Sequence, residues 1–78
     1  MTVTREQAIQ DVADALFMEP SQLDTSTDLL DQGMDSVLIM GLVERWRSAG
    51  VTHIDFIALA EDQRLEQWLE KLASLQRG

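Results

Sequence analysis

Cysteine is absent from this sequence of 78 residues, proline occurs once, and aromatic residues make up only 5% of the chain. Without cysteine the protein can form neither a disulfide nor a thiolate metal site, so any thiol chemistry would have to come from an attached group. No apolar run approaches the ~20 residues that span a bilayer, and we expect no membrane insertion. The first residues, MTVTREQ, are polar and lack the pattern of a signal peptide, which favours a cytoplasmic protein.

Basic residues are scarce as well: 6 stand against 14 acidic ones, and the net charge is −8. Residues 1–36 hold eight of the acids and a single base, Arg5, whereas residues 37–78 are nearly balanced. Nucleic-acid phosphates would be repelled, so nucleic-acid binding is not expected, while partners with basic surfaces would be steered toward the acidic half. A chain of this length buries one core, which predicts a single domain over residues 1–78, monomeric in isolation and without a deep catalytic cleft.

Apolar residues at helical spacing predict an all-α domain of three main helices and one short helix. We expect Thr4 to cap a first helix that reaches Phe17, with Gln7 completing a capping box and Pro20 blocking its continuation. The last helix is expected to follow a cap at Asp62. The buried residues predicted for these two helices are Ile9, Val12, Ala13, Leu16, Leu65, Trp68, Leu69 and Leu72.

The connection over residues 18–35 is long and rich in turn-forming residues. Leu23, Leu29 and Leu30 punctuate it, which indicates a loop that is pinned to the core. Gly33 is expected to supply a positive φ before the next helix. A short helical turn is expected over residues 55–60, between the second and the last main helix.

The second helix is expected to begin at Asp35 or Ser36 and to end near Ala49. On a helical wheel at about 100° per residue, one arc is apolar and faces the core. That arc holds Ile39, Leu42, Val43 and Trp46, and the opposite arc holds Val37, Met40, Gly41 and Glu44. Single exposed apolar residues are common on protein surfaces. Beside a serine at the helix start, however, Val37 and Met40 favour a contact surface, because methionine suits adaptable contacts.

Ser36 could be a helix cap, a nucleophile or an attachment point. A nucleophile needs a base within reach, and the one histidine, His53, lies in a later connection. The GxSxG spacing is not matched either, so no catalytic site is expected. Asp35 is an equally good cap and would leave the Ser36 hydroxyl pointing outward. A phosphodiester at Ser36 would meet free backbone N–H groups and the positive end of the helix dipole.

Residues 24–35, DTSTDLLDQGMD, have the length and acidity of a calcium loop. The sixth position, where the turn needs glycine, is Leu29, and the twelfth, where a bidentate glutamate is expected, is Asp35. The chain also lacks the histidine and cysteine cluster typical of zinc sites. No metal site is therefore expected.

The stretch TDLLDQGMDSV, followed by an amphipathic helix, resembles the acyl and peptidyl carrier proteins, which are small acidic four-helix bundles. The resemblance implies a carrier-protein four-helix bundle with a long first loop. It also implies that Ser36 takes a covalent 4'-phosphopantetheine arm from coenzyme A through a phosphopantetheinyl transferase, with Asp35 as the cap beside it. A carrier needs no catalytic residue of its own.

Two downstream stretches, DSVLIMGLVERWRSAG and IDFIALAEDQRLEQWLEKL, are similar to aryl carrier domains of siderophore assembly lines. This narrower resemblance implies a load of salicylate or 2,3-dihydroxybenzoate, received as a thioester from an aryl-adenylating enzyme and delivered to a condensation or cyclisation domain. The contact residues expected for these partners are Val37, Met40, Phe56 and Ala60. An aminoacyl or fatty-acyl load, and an unmodified acidic helical adaptor, are the alternatives.

Overall fold

Residues 3–76, which a computed structural model describes, form four α-helices around one hydrophobic core. The helices are α1 (Arg5–Ala15), α2 (Ser36–Ser48), α3 (Phe56–Ala60) and α4 (Leu65–Gln76). Short 3-10 turns at Pro20–Gln22 and Leu29–Gln32 lie in the connection between α1 and α2. No strand occurs within residues 3–76, so the prediction of an all-α fold with three main helices and one short helix is confirmed.

The centre of the core is a pair of fully buried tryptophans. Trp46 of α2 and Trp68 of α4 pack edge to face, with ring centroids 6.3 Å apart and planes at 85°. The indole N–H of Trp68 donates to the backbone oxygens of Leu59 and Asp62, both at 2.9 Å, which ties α4 to the end of α3. All eight residues predicted to face the core from α2 and α4 are buried.

The first helix begins as predicted but ends by a different device. The Thr4 side chain accepts a hydrogen bond from the Gln7 backbone N–H at 3.0 Å, as expected for a cap. The predicted capping box does not form, because the Gln7 side chain donates to the Asp11 carboxylate instead of returning to Thr4. The helix stops at Ala15 rather than Phe17, and Pro20 does not end it.

The chain leaves α1 through a left-handed residue, Phe17, at φ 58°. The N–H of Met18 donates to the Ala13 oxygen and that of Phe17 to the Asp14 oxygen, which is the double closure of a Schellman turn. The helix consequently buries less than predicted: Val12 and Ala13 are buried, but Ile9 and Leu16 are only half-buried. Ala8, which was not predicted, is buried as well.

A buried carboxylate joins α1 to α2. Asp11 is 4% exposed and accepts hydrogen bonds from the Gln7 amide, the Arg45 guanidinium and the Trp46 indole, at 2.8, 3.0 and 2.9 Å. A buried charge is tolerated when its oxygens are satisfied in this way. The network therefore fixes the separation and the rotation of the two helices.

The last helix starts at Leu65, three residues after Asp62. The prediction that Asp62 caps this helix is therefore wrong. The Trp68 N–H bonds to the Arg64 oxygen, so Arg64 occupies the cap position. Asp62 instead receives the Arg64 guanidinium at 2.7 Å and the Arg64 backbone N–H at 3.2 Å. None of the helices in residues 3–76 is long and apolar enough to cross a membrane.

Candidate functional site at the start of the second helix

The backbone before α2 is shaped so that Ser36 is the first helical residue and remains exposed. Gly33 has φ 109°, a left-handed conformation that favours glycine, as the sequence predicts. Asp35 is extended, and its Oδ1 accepts the Leu38 N–H at 2.9 Å, which makes it the helix cap. The cap is therefore provided by Asp35, and the Ser36 hydroxyl is not needed for that purpose.

The loop just before Ser36 is anchored to the core on its inner side. Met34 is 2% exposed, and its N–H donates to the oxygen of Leu29, which is fully buried. The Leu29 N–H in turn donates to the Gln63 oxygen at 2.7 Å, so the loop is attached to the segment that precedes α4. Leu30, predicted to be pinned, is 58% exposed, and that prediction is wrong because the 3-10 turn points this side chain away from Leu29.

The earlier half of the loop is closed by polar side chains. The Asp24 carboxylate accepts hydrogen bonds from the backbone and hydroxyl groups of both Ser26 and Thr27, and Gln32 binds the Asp24 backbone from the other side. The Thr27 hydroxyl, followed by the Ser26 backbone N–H, lowers the pKa of the Asp24 carboxyl. A fixed loop of this kind holds Ser36 in one position on the surface.

The start of α2 suits a phosphate ester on Ser36. The N–H groups of Ser36 and Val37 are the first two of the helix and have no helical carbonyl to bind. These free donors and the positive end of the helix dipole stabilise a nearby phosphate. The residues present therefore fit a covalent phosphodiester, which is the linkage of a 4'-phosphopantetheine arm.

An exposed apolar surface lies beside Ser36. Val37 is 75% exposed and Met40 59% exposed on α2, and α3 adds Phe56 at 36%. The structure brings Met40 and Phe56 to one surface groove of about 310 Å³, which Arg47 also lines. Ala60, the fourth contact residue expected from the sequence, is half-buried at the end of α3.

Ile57 is an exposed apolar residue that the sequence reasoning missed. It is 69% exposed, next to Phe56 on α3. A wheel for this short helix could have found it, because Ile57 lies two residues, about 200°, from the buried Leu59. Ile57 thus adds a second exposed apolar side chain to α3, next to Phe56 in the chain.

Neither a catalytic base nor a calcium site is assembled around Ser36. His53 is exposed and lines a different surface groove, with Lys71 and Ser74 of α4. In the calcium-like stretch, the Asp24 carboxylate is hydrogen-bonded to Ser26 and Thr27. Across residues 3–76 no three acidic or histidine side chains are grouped closely enough to hold a metal ion.

Comparison with known proteins extends these observations. Residues 6–72 match the family described as "Phosphopantetheine attachment site". The chain is 38% identical over 68 residues to the acyl carrier protein ScoB of Streptomyces coeruleorubidus, an alignment that covers 87% of this chain and 79% of ScoB.

Two longer relatives match over a small part of their length. The isochorismatase of Bacillus subtilis is 39% identical over 71 residues, covering 91% of this chain and 22% of that protein. The phenyloxazoline synthase MbtB of Mycolicibacterium paratuberculosis is 35% identical over 65 residues, covering 83% of this chain and 6% of that protein. The chain thus corresponds to one segment of each of these proteins.

Proposed function

The chain belongs to the phosphopantetheine attachment site family, and on this basis we propose that Ser36 carries the arm. Members of this family are non-catalytic carriers that bind 4'-phosphopantetheine covalently. The observation that supports this position most directly is the exposed hydroxyl at the first residue of α2, with the cap supplied by Asp35. The bound arm would supply the thiol that the sequence lacks.

Priming would be catalysed by a phosphopantetheinyl transferase acting on Ser36. The Ser36 Oγ would attack the phosphate of coenzyme A that bears the pantetheine and would displace adenosine 3',5'-bisphosphate. A phosphodiester forms, a phosphoanhydride breaks, and the hydroxyl proton passes to a base of the transferase or to solvent. Because coenzyme A is the donor, the proposal also implies a protein of the cytoplasm.

The proposed load is an aryl acid, salicylate or 2,3-dihydroxybenzoate, held as a thioester for siderophore synthesis. The downstream sequence pattern supports this load, and the names of two relatives agree with it. One is named a phenyloxazoline synthase, and this name indicates a product that bears a phenyl group. The other is named an isochorismatase. An acyl load is the second candidate, because ScoB is named an acyl carrier protein.

The proposed docking surface consists of Val37, Met40, Phe56 and Ala60, extended by Ile57. Val37 and Met40 follow Ser36 by one and four residues on α2, and Phe56 lines a groove with Met40. Acidic residues such as Asp31 and Asp35 are exposed on the loop before α2. A transferase, an aryl-adenylating enzyme and a condensation or cyclisation domain would each have to approach Ser36 from this side. Because these exposed residues of the carrier are acidic, we expect each partner to present basic residues around the apolar patch that contacts the carrier.

Attachment is tested by intact mass after incubation with a broad-specificity transferase and coenzyme A. Wild type should gain the mass of one arm, and Ser36→Ala should gain none. Ser48→Ala is the matched control, because Ser48 is exposed at the other end of the same helix, and it should be labelled like wild type. Labelling of Ser36→Ala would refute the site, and a wild type that no transferase labels would favour the unmodified adaptor.

The load is tested by offering the holo protein separately to aryl-, aminoacyl- and fatty-acyl-activating enzymes. The aryl proposal predicts the fastest thioester formation with salicylate or 2,3-dihydroxybenzoate and its activating enzyme. A clear preference for an aminoacyl or fatty-acyl group would replace the aryl load with that class. This second assay leaves the assignment of Ser36 unaffected.

A further inference from the structure

Phe17, in the turn that follows α1, combines a strained backbone with an exposed ring. Its φ of 58° makes it the single residue other than glycine with a positive φ in the part of the chain that the structure describes. A residue with a Cβ is disfavoured in this left-handed conformation, and glycine or asparagine is usual at such a helix end. The Phe17 side chain is nevertheless 96% exposed, which makes it the most exposed large apolar side chain of residues 3–76.

Neither feature is explained within the fold. The neighbouring Leu16 packs against the hydrophobic core, and the ring of Phe17 does not. Glycine would form the same turn without strain, because the turn uses only the backbone N–H groups of Phe17 and Met18. Strained residues concentrate at functional sites, and aromatic rings are frequent anchors of protein interfaces. The two features together indicate that Phe17 makes a contact outside this domain.

The turn that holds Phe17 lies at the end of the molecule that presents Ser36. Ala15, the last residue of α1, lines a groove together with Val37 and Gly41 of α2. The end of α1 is therefore next to the start of α2, and Phe17 follows this end directly.

The loop before Ser36 approaches the same turn. The Leu16 side chain lies 3.8 Å from the point that a Cβ on Gly33 would occupy, and Gly33 precedes Ser36 by three residues. Phe17 is thus on the α1 side of Ser36, whereas the docking surface proposed above is on the α3 side. A partner that contacts Phe17 can still reach Ser36.

The surroundings of Phe17 are acidic. Asp14, whose backbone oxygen accepts the Phe17 N–H at 3.2 Å, and Glu19 both have exposed side chains. The one base of residues 1–36 is Arg5, at the opposite end of α1. Arg45 reaches the α1–α2 groove from α2, but its guanidinium is paired with the buried carboxylate of α1. Charge complementarity therefore predicts a partner pocket that is apolar at its centre and basic at its rim.

The enzyme that loads the arm is the partner for which this contact is most useful. The activating enzyme chooses the acid, since the carrier takes no part in the chemistry. Correct loading therefore depends on a difference in affinity between the right activating enzyme and the others. A contact that is separate from the surface shared by all partners can supply this difference.

We propose that Phe17 is a specificity contact for the acid-activating enzyme, which receives the ring in an apolar pocket with a basic rim on the α1 side of Ser36. The inference rests on the proposed attachment of the arm at Ser36. The activating enzyme also contacts the docking surface of α2 and α3, whereas the transferase needs that surface alone. The strain at Phe17 lowers the stability of the free domain and is retained for the contact.

The test measures loading of the holo protein by the activating enzyme that loads wild type fastest. Intact mass after priming is recorded first, so a failure of attachment at Ser36 is seen separately and removes the premise. Phe17→Gly should raise the KM for the carrier at least about fivefold with kcat unchanged, as expected for the loss of an aromatic anchor. Its melting temperature should rise, so unfolding cannot explain the loss. Phe17→Tyr keeps the ring and should load within about twofold of wild type.

The basic rim is tested with a charge reversal beside Phe17. Asp14→Lys should raise the KM for loading about threefold or more, because a like charge would face the rim. A lysine in the last turn of α1 suits the helix dipole, so the fold should tolerate it. Glu70→Lys is the matched control and should load like wild type, because Glu70 is exposed on α4 and lines a groove with Arg5, at the far end of α1.

Three results would overturn the proposal. One is a KM of Phe17→Gly within about twofold of wild type. Another is an equal loss in priming by the transferase, which would make Phe17 a support for Ser36 instead of a contact for the loading enzyme. The third is an equal effect of Asp14→Lys and Glu70→Lys on loading.

Discussion

The indole N–H of Trp46 donates a hydrogen bond of 2.9 Å to the carboxylate of Asp11, 35 residues earlier in the chain. Trp46 is fully buried and Asp11 is 4% exposed, so this is a polar contact inside the core. It links α1 to α2 from within, while Arg45 reaches the same carboxylate from the surface. The helix that presents Ser36 is therefore oriented by a residue of α1.

Replacing Asp11 by alanine should destabilise the fold by about 2–3 kcal/mol, because the buried Trp46 N–H would lose its acceptor. Urea unfolding followed by tryptophan fluorescence measures the change. Asp14→Ala is the control on the same helix: Asp14 is exposed and accepts one bond from Gln10, so its loss should change stability by at most about 0.5 kcal/mol. Equal effects of the two variants would mean that the Asp11 network contributes nothing beyond its charge.

Phe17→Gly should stabilise the protein by about 1 kcal/mol, since Phe17 adopts φ 58° and a left-handed residue with a Cβ is strained by about that amount. The side chain is 96% exposed, so little packing is lost. Phe17→Ala keeps the Cβ and should give no comparable gain. A rise in melting temperature with glycine but not with alanine supports the explanation, and equal melting temperatures of both variants contradict it.

Met40→Ala should leave the unfolding free energy within about 0.5 kcal/mol of wild type but slow transfer of the load to a downstream partner. The physical reason is that Met40 is 59% exposed beside Phe56. Its neighbour Ile39 is 2% exposed, and Ile39→Ala should cost about 2–5 kcal/mol. Chemical unfolding and a transfer assay on the same samples separate the two effects. Normal transfer with Met40→Ala would remove this residue from the docking surface.

Acid should weaken the connection between α3 and α4 through Asp62. The Arg64 guanidinium, as the main cause, lowers the pKa of the Asp62 carboxyl from 3.8 to about 2. The carboxylate therefore stabilises the fold above about pH 4, and this contribution disappears as the pH falls to about 2. Asp62→Asn should be less stable than wild type at pH 7, and the difference should vanish across that range in urea titrations.

Glu70→Gln serves as the control for the acid titration, because Glu70 is an exposed acid on α4. It removes the same charge without touching the pair of Asp62 and Arg64. If the stability difference between wild type and Asp62→Asn were constant from pH 7 to pH 2, the ion pair would not be its source.

The spacing of apolar residues along the chain predicted the buried residues correctly for the helices in which one face is clearly apolar. The buried arcs of α2 and α4 follow from spacing alone, and so do the Asp35 cap, the positive φ of Gly33 and the exposure of Val37 and Met40. These features depend on residues within a few positions of one another. The same reasoning failed at the helix ends, where Ala15 and Arg64 replaced the expected boundaries, because several capping residues compete there.

Contacts between distant parts of the chain could not be predicted in this way. Nothing near Asp11 in sequence indicates that Trp46 and Arg45 will bind it, and nothing near Leu29 indicates the Gln63 carbonyl. Ile57 was missed for a different reason: its helix has only five residues and gives a short apolar pattern, although a helical wheel places Ile57 about 200° from the buried Leu59.

The sequence by itself determined the helical class, the single apolar face of each main helix and the outward serine behind an aspartate, since helical periodicity and capping are short-range effects. The tertiary structure alone decided which surfaces become neighbours: it brought Met40 to Phe56, and it opened a groove over Gly41 between α1 and α2. The physical reason is that packing chooses the relative rotation of the helices, and that rotation is fixed by contacts such as Asp11 with Trp46, which no local pattern encodes.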